Sequence, residues 1–306
     1  MKILEIGKVD LASLCYLNKE RYPFLLESVN HNDNNRYSIL FAFPGKSIVL
    51  NNFSDFNFLS ELEKQFKLNN LKTNLPFSGG WFVYLSYELI GQIEPILSGE
   101  LHTSELPIAY AVKIPSAIII DHKTNTTYLI DQDSDQSRID SMLTDIDVIK
   151  PIPEVDVLGK LEQENEDKFI SGVKACLDYI VAGDVFQVNL SRQWQYKLTK
   201  EIDSAVIYHA LKNSNPAPFS ALIQYENFSI VSSSPERLFS VQDGVLQTRP
   251  IAGTHPRGEG SEDKAQKEDL INHPKEIAEH VMLLDLERND MGRVCEYGSV
   301  FVNEVM

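Results

Sequence analysis

Apolar positions recur along the chain mostly at the two-residue period of strands, with a few stretches at helical spacing. Tyr22-Pro23-Phe24-Leu25-Leu26-Glu27-Ser28 reads as an apolar strand ending in a polar turn, and His31–Asn35 as an Asn/Asp loop. Arg36–Phe43 alternates as a strand and stops at Pro44-Gly45. Ser60–Phe66 is a short amphipathic helix. Gly79–Glu88 is aromatic-rich and strand-like, its paired glycines marking a bend or a close backbone approach. Ala109–Pro115, Ser116–Asp121 and Thr127–Asp131 are further strands, and Ser134–Asp147 is a polar helix. Residues 151–165 are acidic and contain proline, which predicts a linker between an N-terminal part, 1–150, and a second part, 166–306.

Beyond the linker, Glu166–Ala182 carries Phe169, Val173, Cys176/Leu177 and Ile180 on one helical face, and Gly183 suits the position that ends the helix. Val185–Tyr196 reads as a strand: Phe186, Val188 and Leu190 point one way, and Gln187, Asn189 and Ser191 the other. Ile202–Lys212 is a helix broken by Asn215-Pro216-Ala217-Pro218-Phe219-Ser220, after which Ala221–Tyr225 and Phe228–Val231 are strands. Leu238–Val241 and Val245–Thr248 flank Asp243-Gly244, a strong two-residue hairpin signal. His273-Pro274 opens a long helix, with proline in its first turn. On it Ile277, Val281, Leu284 and Arg288 share one face, and Glu279, Leu283, Leu286 and Asp290 another. Antiparallel strand runs mixed with separate helices predict an α+β fold.

An apolar content of 43% over 306 residues allows a sizeable core. The net charge of −16, from 44 acidic against 28 basic residues, argues against a nucleic-acid or anionic-membrane surface. It also requires any anionic ligand to be met by local positive charge, backbone N–H groups or a metal. Cys15, Cys176 and Cys295 are scattered, so neither a disulfide framework nor a zinc site is indicated. Charges interrupt the apolar residues of the N-terminus, unlike a secretory signal, and apolar runs are far too short for a membrane span. A cytoplasmic protein is expected.

The chemistry concentrates around the hairpin. Its two arms lead back to Ser234-Pro235-Glu236-Arg237 and to Thr248-Arg249-Pro250-Ile251-Ala252-Gly253-Thr254, so Glu236 should neighbour the Gly253-Thr254 peptide. A carboxylic acid beside exposed backbone N–H groups can protonate a leaving group while an anion is held in place. A surface hairpin with a solvated Glu-Arg pair is the commoner meaning of such a sequence.

Those two motifs, followed in order by Ala278-Glu279-His280 and Met282–Asp290, resemble the chorismate-utilising enzymes. The resemblance is strong from about Phe169 to Met306 and weaker before it. It implies orthogonally packed antiparallel sheets flanked by helices, and chorismate as substrate. It implies Glu236 as the acid that protonates the departing C4 hydroxyl, which calls for burial to keep it protonated. Gly253 and Thr254 would hold an anionic group of the substrate, and Glu279 would ligate Mg²⁺. Family members that activate water carry a lysine where this chain has Gln187. Because an amide cannot act as a base, Gln187 implies a member that uses ammonia, delivered by a glutamine amidotransferase subunit. A tryptophan-type pocket would use Ser28, Arg36, Tyr37, Ser38, Pro218, Phe219 and Ser220. Pro218-Phe219-Ser220, Gln247-Thr248-Arg249 and the Trp81–Glu88 stretch resemble aminodeoxychorismate synthase component I. Ala252, which offers no nucleophile, resembles anthranilate synthase component I. Family members continue well past the equivalent of Met306, through a second magnesium glutamate and further substrate-binding loops. A truncated chain with reduced or no turnover is therefore expected, and a non-catalytic ligand-binding fragment is the alternative.

Overall fold

The computed structural model describes residues 1–30, 35–66, 73–98 and 106–305. Its elements in chain order are β1 (Lys2–Ile6), α1 (Leu11–Leu17), β2 (Phe24–Glu27), β3 (Tyr37–Ala42), β4 (Ser47–Leu50), α2 (Phe58–Gln65), β5 (Gly80–Leu85), the short α3 (Ile90–Ile93), β6 (Ala109–Ile114), β7 (Ser116–Asp121), β8 (Thr126–Asp131) and α4 (Gln136–Val148). There follow β9 (Gly159–Gln163), α5 (Glu166–Ala182), β10 (Trp194–Leu198), α6 (Ser204–Ser214), β11 (Phe219–Tyr225), β12 (Phe228–Ser234), β13 (Ser240–Gln242), β14 (Val245–Gln247), α7 (Ser261–Asn272) and α8 (Pro274–Gly292). Most of His31–Asn35, expected as a loop, lies outside the described residues.

Seven strands form one antiparallel sheet in the order β1-β8-β7-β3-β2-β11-β12, and β4-β6-β5 form a second. β6 and β7 are separated only by Pro115, yet lie in different sheets. A chain that changes sheet at a proline corner is the device by which orthogonal packings turn. Between the sheets lies an aromatic core: Phe24 and Phe82 stack at 4.1 Å between centroids, and Tyr110 stacks on Tyr225 at 4.6 Å. On the other face of the large sheet, Leu25, Leu40, Ile118 and Leu129 pack against Leu11 and Leu14 of α1, Ile139 and Met142 of α4, and Ala205 and Tyr208 of α6. β2 supplies both cores, because consecutive side chains of a strand point to opposite faces; Phe24 enters one and Leu25 the other.

The predicted division at 151–165 is not the division of the sheet. β11 pairs with β2 in the register Ser220↔Glu27 to Ile223↔Phe24, so residues from well past the linker close the N-terminal sheet. The linker itself contains β9, which pairs with β10, and its Ile152 is buried. Its acidic composition concealed an extended stretch that has a partner some thirty residues on, a pairing local reading cannot supply.

Two further expectations need correction. The strand predicted over Val185–Tyr196 is confined to Trp194–Leu198; the preceding residues pair with no strand, and Phe186, Val188 and Leu190 are exposed. Helix α5 keeps its predicted bounds and its left-handed Gly183 at φ 80°, but none of its residues is buried, and Val173, Leu177 and Ile180 face outward. Alternation and helical periodicity identify an apolar face; they do not provide the element that covers it. No described residue after Gln224 is buried. Residues 301–305 form no strand.

Candidate functional site

The hairpin forms as expected. β13 and β14 pair with Ser240 opposite Gln247 and Gln242 opposite Val245, and Asp243 and Gly244 both have positive φ, 53° and 79°. That pair of left-handed residues defines the tight turn whose twist matches the flanking strands. Thr248 Oγ1 donates to the Leu238 carbonyl at 3.2 Å and extends the closure toward the open end of the ribbon.

At that open end the Ile251 N–H donates to Glu236 Oε1 at 3.0 Å. Glu236 is thus held across the ribbon, two residues from Gly253. Its own N–H donates to Ser234 Oγ at 3.3 Å, fixing the approach to the carboxylate from the other side. The two arms meet at this end, but the N–H that reaches Glu236 is that of Ile251 rather than of Gly253 or Thr254, and the carboxyl is exposed rather than buried. The Leu238, Phe239, Val241 and Val245 side chains of the ribbon are likewise exposed.

Gly253 takes φ 55°, and a Cβ there would meet Glu276 Oε2 at 2.2 Å and Leu270 Cδ1 at 3.2 Å. Glycine thus suits the position twice, for the left-handed backbone and for the close approach of the Glu276 and Leu270 side chains from α8 and α7. Glu276 stands three residues before Glu279, so the two half-buried carboxylates share the α8 face nearest the Gly253 loop. Further along α8, Glu287 is half-buried and holds its proton more tightly than an ordinary glutamate. Burial is the main cause; Glu236 and Asp290 add to it, while Thr248 and His280 oppose it. The helix thus lies against the open end of the ribbon, with Glu276 at Gly253 and Glu287 near Thr248 and Glu236. Thr254 is exposed. Gln187 is half-buried in the unpaired stretch before β10, and Ala252 is half-buried beside Gly253.

Glu276 and Glu287 escaped the sequence reading, which selected Glu279 alone. The available signal was the i,i+3 repeat of carboxylates at Glu276 and Glu279. Helix α7, which helps to bring α8 against the ribbon, also escaped, because Ser261–Asn272 is too charged to show an apolar stripe.

Most of the residues expected to form a tryptophan-type pocket converge where β3, β2 and β11 end side by side. The Ser28 N–H donates to Ser38 Oγ at 3.0 Å, and the Ser28 hydroxyl donates to the Tyr37 carbonyl at 2.9 Å. Ser38 Oγ lies 2.7 Å from His122 Nε2. The Val29 N–H donates to the Ala217 carbonyl at 3.0 Å, and the Ser220 hydroxyl donates to the same carbonyl at 3.2 Å, which draws the Pro218-Phe219 turn to Ser28. Arg36 forks onto the buried Asp121, with Nε to Oδ1 at 2.7 Å, and lies 4.8 Å over the Tyr37 ring. Ser28, Ser38 and Ser220 are buried and bonded to neighbouring protein groups. On the adjacent strand position, Glu27 Oε2 accepts from the Tyr208 hydroxyl at 2.7 Å and from Lys212 Nζ at 3.2 Å.

No described helix is long and apolar enough to cross a membrane. Among the described residues, no group of three or more His, Cys, Asp or Glu side chains is gathered as a metal cluster.

The ribbon, loop and helix recur in known proteins. An anthranilate synthase component I-like protein of Synechocystis sp. is 36% identical over 241 residues, covering 78% of this chain and 49% of its own. Aminodeoxychorismate synthase component 1 of Bacillus subtilis is 37% identical over 270 residues, covering 83% of this chain and 57% of its own. This chain therefore spans about half the length of these curated relatives. The crystal structure of anthranilate synthase component I from Streptococcus pneumoniae superposes with a TM-score of 0.75 at 27% identity, over 90% of this chain and 65% of that one. The model of the chorismate binding enzymes matches residues 22–306, which takes in the ribbon, α8 and every strand of the two sheets except β1, and on that match this chain belongs to the chorismate binding enzyme family.

Proposed function

We propose that this chain carries part of the site of an amine-transferring, chorismate-utilising synthase, of the aminodeoxychorismate synthase component I type. The observation that carries the reading is Glu236 Oε1 held by the Ile251 N–H at 3.0 Å beside the left-handed Gly253. This sets one carboxyl group and a run of backbone N–H groups at the same end of the ribbon. In the proposed reaction Glu236 gives a proton to the C4 hydroxyl of chorismate, which departs as water, and the carboxylate left behind takes up the proton that ammonia loses on bonding to the ring. The Gly253 and Thr254 N–H groups and the Thr254 hydroxyl orient a substrate carboxylate. Gln187, an amide, cannot deprotonate water, so ammonia is the nucleophile, and a glutamine amidotransferase partner would deliver it.

Glu279, with Glu276 one turn before it, supplies two carboxylates on one helix face at the loop. Magnesium is commonly held by one or two carboxylates together with substrate oxygens, and this pair, which no third His, Cys, Asp or Glu joins among the described residues, is a donor set of that kind. When bound, Mg²⁺ would neutralise a carboxylate of a substrate that this acidic chain otherwise repels. The chorismate site and its partner are properties of the longer relatives, and for this chain they belong to the proposal.

Pro218-Phe219-Ser220 and Gln247-Thr248-Arg249 support aminodeoxychorismate as the product. Ala252, with no nucleophile beside Gly253, supports anthranilate as the second reading. One experiment separates them. The chain, alone and joined to the C-terminal remainder of the Bacillus subtilis aminodeoxychorismate synthase, is given chorismate, Mg²⁺ and ammonium. Product that a lyase converts to para-aminobenzoate supports the proposal, and fluorescent anthranilate supports the second reading. Glu236→Gln should lower the rate about 10²–10⁴-fold. Release of isochorismate, or a rate unchanged by Glu236→Gln, would overturn the roles given to Gln187 and Glu236. Tryptophan titration of the chain tests the pocket at Ser28, Arg36, Tyr37, Ser38, Pro218, Phe219 and Ser220. Binding without turnover in either form would indicate a ligand-binding fragment.

A further inference from the structure

A second concavity lies at the opposite end of β12 from Glu236, about 20 Å away along the strand at ~3.3 Å per residue. Its volume is about 810 Å³, within the range of small-molecule sites. It opens between the β11–β12 turn, the start of α6 and the loops that precede β2 and β4.

Three observations give it a chemistry. Gln224 is 7% exposed in its wall; Gln224 Nε2 donates to Ser204 Oγ at 2.9 Å, whereas Gln224 Oε1 has no hydrogen-bond partner. A buried acceptor left unpaired is costly, and a donor on a ligand would satisfy it. Next, Glu201 and Glu226 are exposed on the rim, and neither forms an ion pair among the described residues, while Lys19 and Glu20 on the facing rim offset each other in charge. The start of α6 would ordinarily favour an anion, but Asp203 already occupies it, its carboxylate accepting from the Ala205 N–H at 2.8 Å. Finally, Tyr225 and Phe228 also line the cleft; packed against the aromatic core, with Tyr225 stacked on Tyr110, they give it an apolar wall on the face of β11 opposite Gln224.

We propose that this cleft binds a small organic cation bearing N–H donors, an alkylammonium or guanidinium compound. Gln224 Oε1 accepts one N–H of the ligand, Glu201 and Glu226 supply the opposing charge, and the apolar wall at Tyr225 and Phe228 takes up its alkyl part. The site is independent of the chorismate reading, since no residue of the ribbon or α8 lines it.

The test is a titration of the whole chain with agmatine, followed by NMR of the aromatic resonances and by calorimetry, with succinate as the anionic comparator. Saturable shifts at Tyr225 and Phe228, weakened by high salt, are expected. The double variant Glu201→Gln/Glu226→Gln should weaken binding about tenfold, a change of ~1.4 kcal/mol in binding free energy. Both positions are exposed, so its melting temperature should match that of the parent. Gln224→Met removes the unpaired acceptor and should weaken binding independently. Absence of saturable agmatine shifts, agmatine binding unchanged in both variants, or equal binding of succinate would overturn the proposal.

Discussion

At the scale of single residues, the sharpest constraint is Gly253. An alanine there would adopt φ 55° at a cost of about 1 kcal/mol and would push against Glu276. The obstructing atom is the free end of a flexible side chain, so the expected outcome is displacement of Glu276 rather than unfolding. Gly253→Ala should leave the melting temperature within a few degrees while shifting the amide resonances of α8 around Glu276. A second residue-scale outcome concerns Asp121, whose carboxylate is held at about 2 by the forked hydrogen bonds of Arg36, against the opposing effect of burial and with help from the Lys123 N–H. An unfolded aspartate titrates near 3.9, so this pair contributes stability above that value and loses it as the pH falls toward 2. Acid melts of Asp121→Asn should therefore be flatter than those of the parent between about pH 5 and pH 2. Glu287 works in the opposite sense. Its carboxyl is raised mainly by burial, so it favours the fold while protonated and disfavours it as the pH rises.

At the scale of elements, legibility in the sequence followed locality. The bounds of α5 with its terminal Gly183, the Asp243-Gly244 turn, and β7 were readable because capping, turn chemistry and short-period alternation are encoded within a few neighbouring residues. β9 and the true extent of β10 were not, since each depends on the other across more than thirty residues. In the candidate site, the meeting of the Glu236 and Gly253 arms could be read from the hairpin, whereas Glu279 is singled out only by the family resemblance. Glu276 could not be singled out, because its significance comes from touching Gly253, a contact between two elements. The large sheet offers a direct check on packing. Leu25 is fully buried on a central strand with cover on both faces, and Leu25→Ala should cost about 2–5 kcal/mol in chemical denaturation.

At the scale of the whole molecule, burial is unevenly shared. All fully enclosed side chains lie at or before Gln224, while α5 and the ribbon present Leu177, Ile180, Leu238, Phe239 and Val241 outward. On α5, Val173, Leu177 and Ile180 share one helical face, and an uncovered apolar helix face of this kind marks a surface that takes part in contacts. Hydrogen exchange should divide the chain accordingly. Amides of β2, β3, β7 and β11 should be the slowest, and those of α5, α7 and α8 should exchange by local opening well below the global barrier. Equal protection throughout would contradict this distribution of packing.

The strand order β3-β2-β11 carries a consequence for how the chain is made. Phe24 finds its ladder partner Ile223 about 200 residues later, and contacts of such long sequence separation slow folding because the loop must close before it is rewarded. During synthesis the outward edge of β2 stays unsatisfied until the ribosome has released β11. Over that interval the nascent polypeptide offers an open template to any other extended segment, and a chaperone that shields it should raise the yield of folded protein.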